Sequence, residues 1–203
     1  IFFLKQKYQI IGIDNLSRKG SHGKIRYLKK NFKNFIFYKC DITDFKKLND
    51  TFKKYNKIKA VIHTAGQVTV TESITNPIND FKINSLGTLH VLELTKKYFK
   101  KAKIIYSSTN KIYGNLKNLK IQKQNNKYLI KNYKKGIDEK YVVDYCSPYG
   151  CSKGSADQYL KDYARIYDMN TTVLRKSCIY GHEQLGLFGQ GWISFIINQA
   201  IMN

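Results

Sequence analysis

The sequence predicts an α/β fold built on a doubly wound parallel sheet. Short apolar runs rich in Ile, Val, Phe and Tyr alternate with longer segments of helical period, which is typical of βαβ units. Polar and acidic residues follow several of these runs, at the strand ends where such sheets bind ligands. A chain of 203 residues with 42% hydrophobic residues is large enough to bury one such domain.

Apolar runs and helical periodicity together give the order of the elements. The predicted strands are residues 8–13, 35–40, 60–63, 103–107 and 171–174. Helical periodicity predicts helices at residues 25–32, 45–55 and 80–99. In the last of these helices one stripe is expected to be buried, formed by Phe81, Asn84, Thr88, Val91, Leu92 and Thr95.

A further helix is predicted to begin at Ser147 and Pro148, since serine suits an N-cap and proline the first turn. Its expected buried face is Ala156, Tyr159, Leu160, Tyr163, Ala164 and Tyr167. The Lys- and Asn-rich stretch 115–140 has little periodicity, which predicts a loop over the active-site side. Glycines within residues 182–192 predict a flexible connection to a last helix at 192–202.

Lysine dominates the charge of the chain, which has 36 Lys and Arg, 14 Asp and Glu, and a formal net charge of +22. Such a charge first suggests a nucleic-acid or anionic-membrane partner. Only four residues are arginine, however, and recognition of bases and phosphates favours the planar arginine fork. Because the lysines are mixed with Asn and Ile, as in an AT-biased coding sequence, we predict no nucleic-acid partner.

The chain holds four cysteines without CxxC spacing, namely Cys40, Cys146, Cys151 and Cys178. This spacing predicts neither a metal site nor a redox dithiol, and it favours a reduced cytoplasmic compartment. Lys5, Gln6 and Lys7 interrupt the apolar opening well before the ~18 residues that a membrane span requires. We therefore predict no membrane anchor and no signal peptide.

The sharpest local motif is a YxxxK pair, Tyr149 and Lys153, on the predicted helix. Residues four apart share one helical face, so the ammonium is expected to approach the phenol and favour its anion. This would lower the phenol pKa from ~10 and make Tyr149 an acid/base for a sugar hydroxyl. Since a chain rich in Tyr and Lys produces YxxxK by chance, the order of the surrounding motifs must decide.

Three hydroxyl side chains, Ser107, Ser108 and Thr109, stand at the end of the fourth predicted strand. A hydroxyl at the carboxyl end of a strand would orient the reacting sugar hydroxyl towards the tyrosine. In isolation, a Ser/Thr-rich turn explains these residues better. The order strand, SST, YG, variable stretch and SPYGCSK is much harder to obtain by chance.

Acidic residues end the first two predicted strands. Asp14 would accept hydrogen bonds from the adenosine ribose of NAD and repel a 2′-phosphate, which favours NAD over NADP, although Arg18 lies nearby. A turn aspartate is the alternative for this residue. Asp41 would flank the adenine, and Gly66 permits close backbone approach after the third strand, whereas His63 is predicted to be structural.

These motifs resemble the extended short-chain dehydrogenase/reductase family, which are NAD-dependent enzymes with a Rossmann-like fold that act on nucleotide sugars. The resemblance covers nearly the whole chain and rests on DNLSRKG, HTAGQVTVTESITNP, INSLGTL, IIYSSTNKIYG, SPYGCSKGSADQYLKDYARI and GQGW. It implies that Thr109, Tyr149 and Lys153 are catalytic. It also implies NAD contacts from Asp14, Asn15, Ser17, Arg18, Asp41, Ile42, Ala65, Gly66, Gln67, Asn84, Ser107, Tyr149, Lys153 and Ser177.

The resemblance implies a homo-oligomeric sugar epimerase, with a CDP-sugar as the expected substrate. NAD would take hydride from C2 of the sugar and return it to the other face of a keto sugar. A 4-epimerase, dehydratase or reductase of the same family is an alternative. Asn110 and Lys111 argue against a dehydratase, which requires acidic residues there. A basic RNA- or DNA-binding module without catalysis is the alternative from a different class.

The sequence also departs from the family pattern. The GxxGxxG turn and the first strand, which is expected to pair with the strand ending at Asp14, would precede Ile1. We expect residues 1–180 to be a truncated NAD-binding domain and 181–203 the start of a largely missing substrate lobe. The 203 residues alone are expected to be inactive. Lys176 stands where a neutral or His side chain is expected.

Overall fold

A computed structural model describes residues 1–133, 135–181, 184–187 and 189–202. Its strands are β1 (Ile10–Asp14), β2 (Phe35–Lys39), β3 (Ala60–His63), β4 (Lys103–Thr109), β5 (Ile121–Gln124), β6 (Lys127–Ile130) and β7 (Thr171–Lys176). Its helices are α1 (Phe2–Lys5), α2 (Ser21–Asn31), α3 (Phe45–Phe52), α4 (Val70–Thr75), α5 (Pro77–Phe81), α6 (Gly87–Phe99), α7 (Pro148–Tyr167) and α8 (Trp192–Met202). The five predicted strands are all present, with ends within two residues of those expected.

The strands form parallel ladders, which confirms the predicted α/β class. β1 pairs with β2, and β4 lies between β3 and β7. Among the described residues no ladder joins β1 to β3. Both ladders nevertheless cover one core, because Ile13 of β1 and Val61 of β3 pack against the same buried cluster.

Helix α6 connects the two halves of the core. One buried cluster combines α3 and α6 through Leu48, Phe52, Val91, Leu94 and Phe99. A second cluster joins α6, β4 and α7 through Leu92, Ile104, Tyr106, Ala156 and Leu160. Side chains on one face of β4 therefore pack against both α6 and α7.

The helix predicted at 80–99 is interrupted. Helix α5 begins at Pro77, where the Asn76 side chain accepts a hydrogen bond from Asn79 N at 3.1 Å, and a π-helical turn at Lys82–Leu86 precedes α6. The predicted burial of Phe81 is wrong, since its side chain is 55% exposed. A π turn changes the number of residues per turn, so a stripe counted at the regular helical period does not continue across it.

Helix α7 begins as predicted, because the Ser147 hydroxyl caps it by accepting a hydrogen bond from Gly150 N at 3.1 Å. Two residues of its predicted buried face are wrong, since Tyr159 is 42% and Tyr167 is 36% exposed. Polar residues take part of the inward face instead, namely Ser152, Lys153 and Asp157. Apolar periodicity does not register buried polar residues, which explains the error.

The stretch 115–140, predicted as a loop, contains an antiparallel hairpin of β5 and β6. Its turn residues Asn125 and Asn126 have φ of 46° and 58°, a left-handed conformation that Asn tolerates and that suits a tight hairpin turn. Each strand has only four residues, and neither shows a clear alternation of apolar and polar side chains. The loop prediction is therefore wrong for these residues.

The end of the chain agrees with the sequence, since α8 spans Trp192–Met202 as predicted. Residues 182, 183 and 188 of the predicted glycine-rich connection lie outside the described residues. Across the described part of the chain, no helix combines the length and apolar character that a membrane crossing needs.

Candidate functional site

The predicted catalytic residues meet where β4 ends against the first turns of α7. Lys153 Nζ donates a hydrogen bond to the carbonyl oxygen of Ser107 at 2.6 Å. Thr109 lies close enough to the Tyr149 phenol to lower its pKa, and its side chain accepts a hydrogen bond from Lys111 N at 3.2 Å. The capped start of α7 places residues 149 and 153 on the face that packs on β4. The structure thus brings together all three residues.

The ionisation of Tyr149 differs from the expectation. Burial raises the pKa of its phenol, the Thr109 side chain lowers it, and the Asp80 carboxylate raises it further, with a net increase. The predicted lowering of this pKa by Lys153 is therefore wrong for this arrangement. The Lys153 ammonium is instead bonded to Ser107 O and lies 4.2 Å from the centroid of the Tyr106 ring.

Lys153 is the strongly perturbed cation of the site. Burial, followed by the charge of Lys176, lowers its pKa to about 7, against the opposing effect of Asp80 and Asp157. Lys176 is the ladder partner of Thr109, which explains its influence. The residue that departs from the family pattern thus lies beside the predicted catalytic trio.

We expect this shift to make stability depend on pH. Between pH 7 and the ordinary lysine value of 10.5, the unfolded chain binds a proton at Lys153 that the folded chain has lost. The free energy of unfolding therefore rises with pH in this window, by at most about 1.4 kcal/mol per pH unit. Urea unfolding of the intact protein and of Lys153→Met at pH 7 and pH 9 measures the effect.

The free energy of unfolding of Lys153→Met should exceed that of the unmodified protein most at pH 7, and this difference should shrink by pH 9. Lys176→Gln removes a neighbouring positive charge, so it should reduce the pH dependence that Lys153 causes. Equal pH slopes for Lys153→Met and the unmodified protein would contradict a lowered lysine pKa.

The Asp157 side chain supports the site through buried hydrogen bonds, a role that was not predicted from the sequence. Its fully buried carboxylate pairs with Arg175, with Nε–Oδ2 at 2.9 Å and Nη2–Oδ1 at 3.0 Å, and accepts from Ser108 Oγ at 2.9 Å. Arg175 Nη1 also donates to Tyr113 OH at 3.0 Å. The pair raises the pKa of Arg175 and ties α7 to the ends of β4 and β7. The signal available was the position of Asp157, four residues after Lys153.

A second buried network, also missed, joins α5 and its π turn to α7. Asn84 Nδ2 donates to Asp80 Oδ1 at 3.0 Å and to Ser152 Oγ at 3.2 Å, and Ser152 Oγ donates to Asp80 Oδ2. Burial raises the pKa of Asp80, while these hydrogen bonds and Lys153 oppose the shift. Ser85 Oγ adds a bond to Ser152 O at 3.0 Å. The i,i+4 spacing of Asp80 and Asn84 was the sequence signal.

The carboxyl ends of β1 and β2 meet through hydrogen bonds between predicted cofactor contacts. Asn15 Nδ2 donates to Asp41 Oδ2 at 2.7 Å, and Asp14 Oδ1 accepts from Leu16 N at 2.6 Å. Burial would raise the pKa of Asp41, but hydrogen bonds from Thr43 and Asn15 together lower it. Hydrogen bonds therefore hold the Asp41 carboxylate in place, whereas the Asp14 side chain is exposed at the end of β1.

The segment after β3 lies close to Asn84. A Cβ atom added to Gly66 would lie 2.8 Å from Asn84 Oδ1 and 3.7 Å from Lys153 Nζ, so glycine permits this close approach. Gln67 is buried and stabilises the following turn, accepting from Thr69 N at 3.1 Å. Ala65 packs at the edge of the core cluster beside β3.

The remaining predicted residues have different surroundings. Ile42 is buried, and its side chain lies against Gly87, so it supports α6 from inside the core. Ser17, Arg18 and Ser177 are exposed. His63 bonds Thr88 through Nε2 at 2.9 Å, and burial lowers its pKa to about 3, which fits the predicted structural role.

The parallel fold and the assembled trio define a class of protein, and comparison with known proteins agrees. The chain belongs to the family described as GDP-mannose 4,6 dehydratase, whose family model matches residues 1–202. The resemblance to extended short-chain dehydrogenases is thereby confirmed. The chain is 42% identical over 200 residues to the CDP-paratose 2-epimerase of Salmonella typhi, a match that covers 98% of this chain and 59% of that protein.

Solved structures show the same likeness. The UDP-glucose 4-epimerase of Thermotoga maritima, solved with UDP-glucose, superposes with a TM-score of 0.78 and 28% identity, covering 99% of this chain and 58% of the other. The UDP-glucose 4-epimerase of Thermus thermophilus in complex with NAD superposes with a TM-score of 0.67 and 25% identity, covering 89% of this chain and 49% of the other. The chain thus spans less than two thirds of the length of these relatives.

Proposed function

We propose that the intact protein is an NAD-dependent nucleotide-sugar epimerase, and specifically a CDP-paratose 2-epimerase. The observation that carries the proposal is the convergence of Thr109, Tyr149 and Lys153 at the end of β4. The 42% identity to a CDP-paratose 2-epimerase supports the choice of substrate. A 4-epimerase is the second candidate, supported by 32% identity to a putative UDP-glucose 4-epimerase of Methanocaldococcus jannaschii.

The described residues fit NAD. Asp14 ends β1 and Asp41 follows the neighbouring strand β2, where the two residues would hold the adenosine end of the cofactor. The Gly66 segment and the buried Asn84 Oδ1, which lacks a described partner, lie beside Lys153 and would receive a polar group nearer the reacting end. When bound, NAD supplies the acceptor and the donor of the hydride at the sugar.

The chain's own residues handle the proton. Tyr149 would take the proton of the sugar hydroxyl during oxidation and return it during reduction, while Thr109 orients that hydroxyl. Because burial raises the phenol pKa here, a cation must approach the phenol before its anion is favoured. Lys153 and Lys176 are the cations available at this end of β4.

Other features support the wider proposal. Residues 1–180 would form the NAD-binding domain and 181–203 the start of the substrate lobe. Exposed apolar side chains on α4 and α5, namely Ile74, Ile78 and Phe81, favour a homo-oligomer. All four cysteines are free thiols, which favours a reducing, cytoplasmic compartment. The partner is a CDP-sugar rather than a nucleic acid or a membrane.

The intact protein is expected to convert CDP-paratose to CDP-tyvelose without net formation of NADH. The hydrogen at C2 of the sugar should not exchange with solvent, because the hydride stays on the enzyme. Mass spectrometry of product formed in deuterated water, with absorbance at the NADH band, measures both. Conversion of UDP-glucose instead would favour the 4-epimerase. Accumulated NADH or a 4-keto-6-deoxy product would contradict an epimerase.

A further inference from the structure

A buried polar network lies beside the catalytic lysine, and the directions of its hydrogen bonds are fixed. Asp80 and Asn84 are each 1% exposed and Ser152 is 3% exposed. Asn84 Nδ2 reaches Asp80 Oδ1 at 3.0 Å and Ser152 Oγ at 3.2 Å. Since a carboxamide nitrogen carries two hydrogens, both donors of Asn84 are used within the chain.

The oxygen of the same carboxamide lacks a partner. Asn84 Oδ1 is buried and accepts no hydrogen bond from any residue of the described chain. Buried polar atoms in folded proteins are nearly always paired, since an unpaired acceptor loses its hydration without compensation. This oxygen therefore faces the position of a donor that is not part of the described residues.

The direction of that oxygen is known from its neighbours. A Cβ atom on Gly66 would approach Asn84 Oδ1 to 2.8 Å and Lys153 Nζ to 3.7 Å. The space left by this glycine is thus bordered by an acceptor and an ammonium group. A ligand with a neutral N–H or O–H group suits the acceptor.

We propose that Asp80 is a positioning residue: it holds the Asn84 carboxamide so that Oδ1 is offered to a ligand donor beside Gly66. Rotating the carboxamide by half a turn would bring its oxygen against Asp80 Oδ1, and two acceptors would then face each other. Asp80 excludes that orientation. The inference rests on the proposed function, because the donor belongs to bound NAD or to a water molecule held with it.

Calorimetric titration of the intact protein with NAD tests the inference. Asp80→Leu removes the acceptor and frees the Asn84 carboxamide, so the Kd for NAD should rise about 5- to 10-fold, the value of one hydrogen bond. Asp80→Asn keeps an oxygen at this place and should stay within about twofold of the unmodified protein. Circular dichroism and melting temperature check that each variant is folded.

A double-mutant cycle separates positioning from general support of the fold. If Asp80 acts through Asn84, Asp80→Leu should not weaken NAD binding further in the Asn84→Ala background. Gly66→Ala should also weaken NAD, because the new Cβ fills the donor's place. Gly23→Ala is the matched control, since a Cβ there meets no atom within 4 Å.

The outcomes are distinct. Absence of NAD binding by the unmodified protein would overturn the proposed function and this inference with it. If the unmodified protein binds NAD normally, three results would overturn this inference alone. The affinity for NAD could be unchanged in Asp80→Leu, or it could fall equally in Asp80→Leu and Asp80→Asn. Alternatively, Asp80→Leu could weaken NAD binding as much in the Asn84→Ala background as in the unmodified protein. A crystal structure with NAD should place a cofactor N–H or O–H, or a water, about 3 Å from Asn84 Oδ1.

Discussion

Replacing Tyr149 with Phe is expected to slow sugar turnover by the intact protein about 100-fold or more, because it removes the only titrating atom of this side chain. Tyr149 is half-buried, and Thr109 lies close enough to its phenol to influence its pKa. The ring itself remains, so folding and NAD binding should change little. Steady-state rates with CDP-paratose, together with the melting temperature, measure the two effects separately.

The matched control lies on the same helix. Tyr159→Phe removes a hydroxyl from a side chain that is 42% exposed on α7, and its turnover should stay near that of the unmodified protein. A Tyr149→Phe variant that turns over at the unmodified rate would refute the acid/base assignment. It would leave the NAD-binding proposal to be judged by titration alone.

Replacing Arg175 with Met is expected to lower the free energy of unfolding by about 3–5 kcal/mol, since it leaves the Asp157 carboxylate buried without its cation. The side chains of this pair are 10% and 0% exposed and meet through two hydrogen bonds. Ser108 would remain as a neutral partner of Asp157. Chemical denaturation of the intact protein measures the loss.

The surface pair of Arg165 and Asp162 on α7 provides the control. Its atoms are 3.7 Å apart and its side chains 69% and 57% exposed, so Arg165→Met should cost at most about 1 kcal/mol. The double variant Asp157→Leu, Arg175→Met should lose less than Arg175→Met alone, because neither charge is left unpaired. Equal losses for Arg175→Met and Arg165→Met would contradict a structural role for the buried pair.

Local sequence signals determined the elements that carry the site. Ser147 and Pro148 predicted the start of α7 because a hydroxyl cap and a fixed φ act within one turn. The start of the helix in turn set the face shared by Tyr149 and Lys153. The strand ends were predictable for a similar reason, since apolar runs stop where the chain leaves the sheet.

Features that depend on packing were not predictable in this way. The exposure of the Phe81 side chain follows from the π turn after it. The burial of Asp157 depends on its pairing with Arg175, which lies 18 residues further along the chain. The β5–β6 hairpin is held by backbone pairing between two strands of four residues each, which are too short to show a periodic pattern. Periodicity detects apolar faces, so it is insensitive to each of these.

The sequence by itself determined the fold class and the order of strands and helices, because these follow from periodicity, caps and strand ends, while the resemblance to a known family singled out Thr109, Tyr149 and Lys153. Only the tertiary structure decided the ionisation of the site. Burial and Lys176 lower the Lys153 pKa to about 7, and burial raises that of Tyr149. Desolvation depends on all the atoms that surround a group, and these come together only when the chain folds.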